Sequence, residues 1–461
     1  MRKYFLLLMI PILASCGAKG PKEAILAGKF FNSEDTVVYV ASKGAADTVY
    51  LDKNGEFKFK VMLDKPQLFS LNISRTQTLA YLAPGDSSYV EFDVTAQSDG
   101  PAFSADCRVA NTNIFKSNMA FRDIMGNWRE IFGLNAEQFD RKIDSIQQIL
   151  STLAGSIKGE SKSMVELEKA RVKYAILNLK INYPDYFAYL NDQEVNPDSI
   201  DYSYLDGVDI NNADHLMFDD YLNIINTYVQ SKFNKMLDYK EISKEPAKDR
   251  LPWEFMAIDS LVDNQTVRDY LKMNRMMEDL DYGNFYELDG VVQKYFDGCQ
   301  TLKYKEKVSS KFCTKMILAP GKPAPVFRYS DINGKEYSLE DFRGNLVYID
   351  FWATWCGPCR YELPYLKTLE KDYHSKKVVF VSISLDDNKS AWEKMVKEQD
   401  MKGVQLYGEG AWNSFVAKSY QIRGIPTFFL IDANGSILKP NAPRPSSDEI
   451  HSVLDENLLK L

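Results

Sequence analysis

Residues 346–364 read LVYIDFWATWCGPCRYELP, and the fold of the C-terminal part of this 461-residue chain turns on them. Leu346 to Phe351 is an apolar and aromatic run broken by one acid, Asp350, the pattern of a strand covered on both faces of a sheet. Past Trp355 the period changes. Leu363, Leu366, Leu369 and Tyr373 recur at spacings of 3, 3 and 4, which predicts an amphipathic helix opening out of Cys356-Gly357-Pro358-Cys359.

That junction carries chemistry. A thiol at the start of a helix faces unpaired backbone N–H groups and the positive end of the macrodipole, and both stabilise the thiolate, the nucleophilic form of cysteine. Cys356 is therefore the expected attacking residue, with its sulfur accessible at the helix tip. Cys359 follows almost one turn later, close enough to close a disulfide with Cys356 and release a mixed-disulfide partner. Pro358 takes an early helical position, where its missing N–H costs little. Asp350 has two readings. A lone acid in an apolar strand has a raised pKa and suits a proton acceptor for Cys359; alternatively it is an exposed acid at a strand end. Paired cysteines also serve zinc sites, but zinc needs two further ligands, and none of the three histidines (His215, His374, His451) has ligand spacing to these cysteines. No metal and no cofactor is expected.

These residues carry a resemblance. FWATWCGPCR is similar to the active site of the thioredoxin superfamily, and Glu362-Leu363-Pro364 resembles the E-x-P that the TlpA/ResA-like envelope thiol–disulfide oxidoreductases carry after their CxxC. Arg423-Gly424-Ile425-Pro426-Thr427 resembles the loop that sets a cis-proline opposite the two sulfurs. The resemblance spans residues 318–461 and implies a C-terminal α/β thioredoxin-like fold. It implies that Ile425 and Pro426 contact the substrate chain beside Cys356, that Trp355 shields the thiols, and that Glu362 is a second acid near them. The partners it implies are extracytoplasmic protein thiols and disulfides, together with an upstream electron donor. Gly-Pro between the cysteines matches thioredoxin, whose couple at about −270 mV is reducing, so the reducing direction is expected. Two other readings stand beside it. A peroxiredoxin-like thiol peroxidase would show a proline before its cysteine, and none lies between Arg343 and Cys356. A lipid-anchored binding protein with a non-catalytic thioredoxin domain would tend to lose a cysteine or the proline, and Cys356, Cys359 and Pro426 are all present.

The N-terminus reads as a targeting segment. Arg2 and Lys3 precede a short apolar run, Tyr4 to Leu13, and Leu13-Ala14-Ser15-Cys16 resembles the lipobox of bacterial lipoproteins. The run is far shorter than the roughly 20 residues needed to span a bilayer. Residues 1–15 are thus expected to be a cleaved signal peptide and 16–23 an anchor spacer. The resemblance implies that Cys16 is lipidated, which would hold the protein in the cell envelope, facing the periplasm or the cell exterior, through a membrane anchor. The alternative is an ordinary secretory signal with a chance cysteine.

Between the two ends, composition and texture predict two more domains. A formal charge of −8 gives no reason to expect nucleic acid, and 27 Tyr with 26 Phe argue against disorder. Residues 24–105 show short β-like runs (Thr36 to Ala41, Asp47 to Leu51, Glu56 to Leu63, Leu68 to Ile73, Ser88 to Val94), with turn signals at Asn54-Gly55 and Pro84-Gly85. An N-terminal β-sandwich or barrel is expected there. Residues 106–317 turn helical: Phe139, Ile143, Ile146, Leu150 and Leu153, then Leu167, Ala170, Tyr174, Leu177 and Ile181, alternate spacings of 3 and 4. A helical middle domain is expected, with the prolines at 320, 323 and 325 as punctuation before the third. Besides Cys16, Cys356 and Cys359, three cysteines remain. Cys299 and Cys313 would lie about 21 Å apart on one continuous helix, but a turn near Lys303 to Lys307 would allow a disulfide; the alternative is free thiols.

Overall fold

A computed structural model describes residues 21–461, apart from 43–44, 75, 97–99, 197–199 and 237–238. The signal segment and Cys16 lie outside the described residues. The chain divides into two compact units, one comprising Met1–Tyr239 with Ser260–Val267, the other Lys240–Asp259 with Arg268–Leu461.

The first unit opens with eight strands: β1 (Lys22–Phe31), β2 (Val37–Ser42), β3 (Ala45–Tyr50), β4 (Glu56–Leu63), β5 (Gln67–Ile73), β6 (Thr76–Leu82), β7 (Ser87–Asp93) and β8 (Ala102–Ala105). They form two four-stranded sheets, ordered β4-β1-β7-β8 and β3-β2-β5-β6. Alternation explains the burial. In β4, Phe57 and Phe59 point inward between exposed charged residues, and Leu26, Val90, Val38, Phe69 and Ala80 join them in one apolar cluster drawn from both sheets. β1 pairs with β4 on one side and with β7, in parallel, on the other. It runs so close beside β7 that a Cβ at Gly28 would lie 2.2 Å from the Val90 carbonyl oxygen, so only glycine fits.

Five helices follow in this unit: α1 (Arg108–Met125), α2 (Trp128–Phe132), α3 (Ala136–Gly155), α4 (Lys162–Leu190) and α5 (Asp219–Met236). Asn135 caps α3 by accepting from the Gln138 N–H, and Ser161 caps α4 by accepting from the Met164 N–H. The periodic positions of α3 behave as their spacing predicts. Phe139, Ile143, Ile146 and Leu150 are buried and pack against Val172, Ile176 and Leu179 of α4.

The second unit begins in helices: α6 (Tyr239–Ile242), α7 (Ala247–Leu261), α8 (Gln265–Tyr282), α9 (Asp289–Gly298) and α10 (Leu302–Met316). A hairpin of β9 (Arg328–Ser330) and β10 (Glu336–Ser338) leads into β11 (Leu346–Trp352), α11 (Gly357–Asp372), β12 (Val378–Ser384), α12 (Lys389–Glu398), β13 (Val404–Tyr407), α13 (Phe415–Ser419), β14 (Thr427–Ile431), β15 (Ile437–Lys439) and α14 (Glu449–Leu458). The main sheet runs β13-β12-β11-β14-β15. β11, β12 and β13 are parallel, whereas β14 and β15 run antiparallel. This is the strand–helix–strand–helix–hairpin–helix plan of a thioredoxin-like domain.

The sequence reading starts this domain at residue 318, and the compact unit that contains it also takes in helices α7 to α10. The prolines after Met316 interrupt the helix without separating two cores. Leu251 and Phe255 of α7, Met276 of α8, Tyr295 of α9 and Val308 of α10 share one apolar cluster with Val347, Ile349 and Phe351 of β11. Leu318, Ala319 and Ala324, around the prolines, are buried in that same cluster.

Candidate active site

β11 lies at the centre of the sheet and every residue in it is buried. Its two-residue period sorts the side chains: Val347, Ile349 and Phe351 join the cluster with α7 to α10, while Leu346 and Tyr348 pack with Leu366, Leu369 and Tyr373 of α11. Trp352, on the same side as Tyr348, packs with Cys356 and Cys359. Asp350 falls between Tyr348 and Trp352 in this alternation, so it points to the α11 side of the sheet.

Cys356 is the N-cap of α11, in extended conformation, and its sulfur accepts from the Cys359 N–H at 3.1 Å. Pro358 sits in the first turn, as its missing N–H favours. The two sulfurs are joined in a disulfide, with Cα atoms 5.3 Å apart. Across from them the Ile425–Pro426 bond is cis, and the Ile425 carbonyl oxygen lies 3.7 Å from the Cys356 sulfur. In one respect the geometry departs from the expectation. Cys356 was expected to be accessible, yet it is only 4% exposed. In this oxidised form the disulfide sits in an apolar cluster with Trp352, Ala353 and Trp392, and Ile425 packs against it. The Trp355 ring is 58% exposed, within 6.4 Å of the Trp412 ring.

The two acids are both buried. Asp350 is 5% exposed and paired on both sides in the sheet, opposite Ser382 of β12 and Phe428 of β14, which excludes the exposed strand-end reading. Burial pushes its carboxyl up to about 8, and the negative charge of Glu362 pushes in the same direction against a hydrogen bond from Ser382. Glu362, one turn beyond Cys359 on α11, is held by Ser446, whose N–H and hydroxyl donate to its two oxygens at 3.0 and 2.9 Å. Arg444 approaches it at 3.9 Å.

One residue of the site is absent from the sequence reading. Asp386, buried just past β12, accepts from the Thr354 N–H and hydroxyl and from the Ser384 hydroxyl. It fixes the turn that delivers Cys356 to the helix. The available signal is positional: Asp386-Asp387 follows the carboxyl end of a buried parallel strand next to β11, where open α/β sheets gather their functional groups.

The remaining described cysteines are free thiols. Cys107 and Cys299 are buried and Cys313 is exposed. The turn falls at residues 299–301, and Lys303 to Lys307 lie inside α10, which carries Cys313 about 17 Å along its axis at 1.5 Å per residue. That separation excludes a bridge. No helix of the described residues is long and apolar enough to cross a membrane.

The Redoxin family model matches residues 319–456. Among curated proteins, the thiol-disulfide oxidoreductase ResA of Bacillus thuringiensis subsp. konkukian is 33% identical over 134 residues, 29% of this chain and 76% of its own length. ResA of Bacillus subtilis is 32% identical over 149 residues, 32% of this chain and 80% of its own. Among solved structures, a thiol-disulfide oxidoreductase from Bacteroides fragilis is 32% identical, covering 29% of this chain and 98% of that one with a TM-score of 0.27. The thioredoxin domain of a thiol-disulfide oxidoreductase from Bacteroides vulgatus is 30% identical, covering 30% and 97% with a TM-score of 0.28. Through its C-terminal third, this chain belongs to the ResA-like thiol–disulfide oxidoreductases of the thioredoxin superfamily.

Proposed function

We propose that the protein is a membrane-anchored enzyme of the cell envelope that reduces disulfides in extracytoplasmic proteins through Cys356 and Cys359. In the dithiol form, the Cys356 thiolate attacks one sulfur of a partner disulfide. The partner S–S bond breaks, its second sulfur leaves as a thiolate and takes up a proton, and a mixed disulfide joins Cys356 to the partner. Asp350, as carboxylate, then takes the proton of Cys359. The Cys359 thiolate attacks the Cys356 sulfur, the mixed disulfide breaks, and the partner leaves with both cysteines reduced. The enzyme ends as the Cys356–Cys359 disulfide, and a donor dithiol must return two electrons and two protons before another turnover.

The observation that carries this reading is the meeting of a helix N-terminus and a cis-proline loop at one disulfide, with a buried acid in the strand that leads into it. Cys356 caps α11, the Ile425 carbonyl lies 3.7 Å from its sulfur, and Asp350 titrates at about 8. Ile425 and Pro426 hold the partner chain, Glu362 is the second acid, and Trp355 belongs to the surface the partner meets. Lipidation at Cys16 provides the anchor, and the two-sheet β module, read as a sandwich, serves with the helical segment as a binding or spacer element. Since the disulfide is little exposed, partner docking has to open access to Cys356.

The test is trapping. Full-length Cys359→Ser produced in cells should retain partners as mixed disulfides on Cys356, and Cys356→Ser should retain none. Recovery of no partner by Cys359→Ser, under conditions that trap a control thioredoxin, would overturn the proposal.

A further inference from the structure

Beside the cis-proline loop lies a cleft of about 470 Å³ that shares Ile425 and Pro426 with the disulfide site. Its opposite wall comes from helices that precede the thioredoxin-like domain: Asp281 and Tyr282 at the end of α8, and Lys315 near the end of α10. The wall is tied to the loop. Arg423 Nε lies 3.3 Å from an Asp281 oxygen, and the Gln421 amide donates to the Thr314 carbonyl at 2.7 Å.

The charges in this cleft are one-sided. Arg423, Arg444 and Lys315 line it against the single carboxylate of Asp281. Asp281 is shared by Lys315 at 3.8 Å, by Arg423 and by Lys311, while the carboxylate nearest Arg444 among the described residues is the buried Glu362 at 3.9 Å. Both guanidinium side chains remain more than half exposed, so each presents free donors to a carboxylate.

Resting on the proposed exchange reaction, we infer that this cleft binds the partner polypeptide next to its reactive cysteine and selects chains bearing acidic side chains within a few residues of it. A chain held at Ile425 and Pro426 continues directly into the cleft, and an Asp or Glu there meets the uncompensated positive charge. The extra helices α8 and α10 would then set the partner preference of this enzyme.

The test uses the reduced full-length protein and two short peptides, each carrying its cysteine as a 2-thiopyridyl disulfide, one flanked by Asp residues and the other by Lys. Wild type should react with the acidic peptide about tenfold faster at low salt, with the preference shrinking at high salt. Arg423→Glu should lower the acidic-to-basic rate ratio at least about fivefold, and Arg423→Lys, which keeps the charge, should preserve it. Equal rates for the two peptides in wild type, or an unchanged ratio in Arg423→Glu with a native circular dichroism spectrum, would overturn the inference while leaving the exchange reaction standing. Failure of wild type to react with either peptide would overturn both.

Discussion

Replacing Asp350 with asparagine keeps the side chain's size and its hydrogen-bonding capacity towards Ser382 while removing the ionisable group. In the folded protein this carboxyl titrates at about 8, against an unperturbed 3.8. Below pH 3.8 the acid is neutral in both folded and unfolded chains and costs nothing. Between those values the unfolded chain sheds the proton and the folded chain keeps it. Wild-type stability therefore falls by about 1.4 kcal/mol per pH unit over this window, and the loss levels off above about pH 8. Asp350→Asn escapes the penalty. It should exceed wild type by about 2 kcal/mol at pH 5 and by about 4 kcal/mol at pH 7. Urea unfolding of the oxidised full-length protein, followed by fluorescence, reads this directly, because Trp253, Trp352, Trp355, Trp392 and Trp412 all lie in the second unit. A stability gap that stays constant from pH 5 to pH 8 would refute the buried-acid reasoning.

Further outcomes follow from the same packing. Glu362→Gln keeps both Ser446 contacts, the amide oxygen accepting from the Ser446 N–H and the amide N–H₂ donating to its hydroxyl; it should move the pH at which the Asp350 penalty levels off below 8, since the charge of Glu362 helps hold it there. Asp386→Ala removes the acceptor for the Thr354 N–H and hydroxyl and should slow protein-disulfide turnover about tenfold through misplacement of Cys356; an unchanged rate would show that the turn holds itself. Leu369→Ala, in the interface between α11 and the sheet, should cost about 2–5 kcal/mol in urea unfolding, and a loss under about 1 kcal/mol would contradict that packing.

The parts of the site legible in the sequence are those encoded over short spans. The apolar run of β11, the change of period after Trp355 and the capping position of Cys356 all follow from neighbours within a turn or two, and the buried positions of α11 fall where the spacing puts them. The β1, β6 and β8 strands were less legible. Gly28 interrupts the pattern of β1, for instance, and its role appears only once Val90 lies against it. The supports of the site are long-range. Asp386 meets Thr354 across 32 residues and Ser446 meets Glu362 across 84, so no local pattern joins them. The packing of the preceding helices is long-range as well: Leu251, Phe255, Met276, Tyr295 and Val308 share an apolar cluster with β11, and no local pattern announces it.

The seclusion of the disulfide has a bearing on selectivity against bystanders. Small thiols diffusing through the surroundings seldom meet sulfur, because Cys356 and Cys359 are almost wholly enclosed. Attack on a disulfide needs the nucleophile in line with the S–S axis, and such an approach is rare for a molecule that cannot first displace Ile425. The oxidised couple is thereby shielded from casual reduction by small molecules.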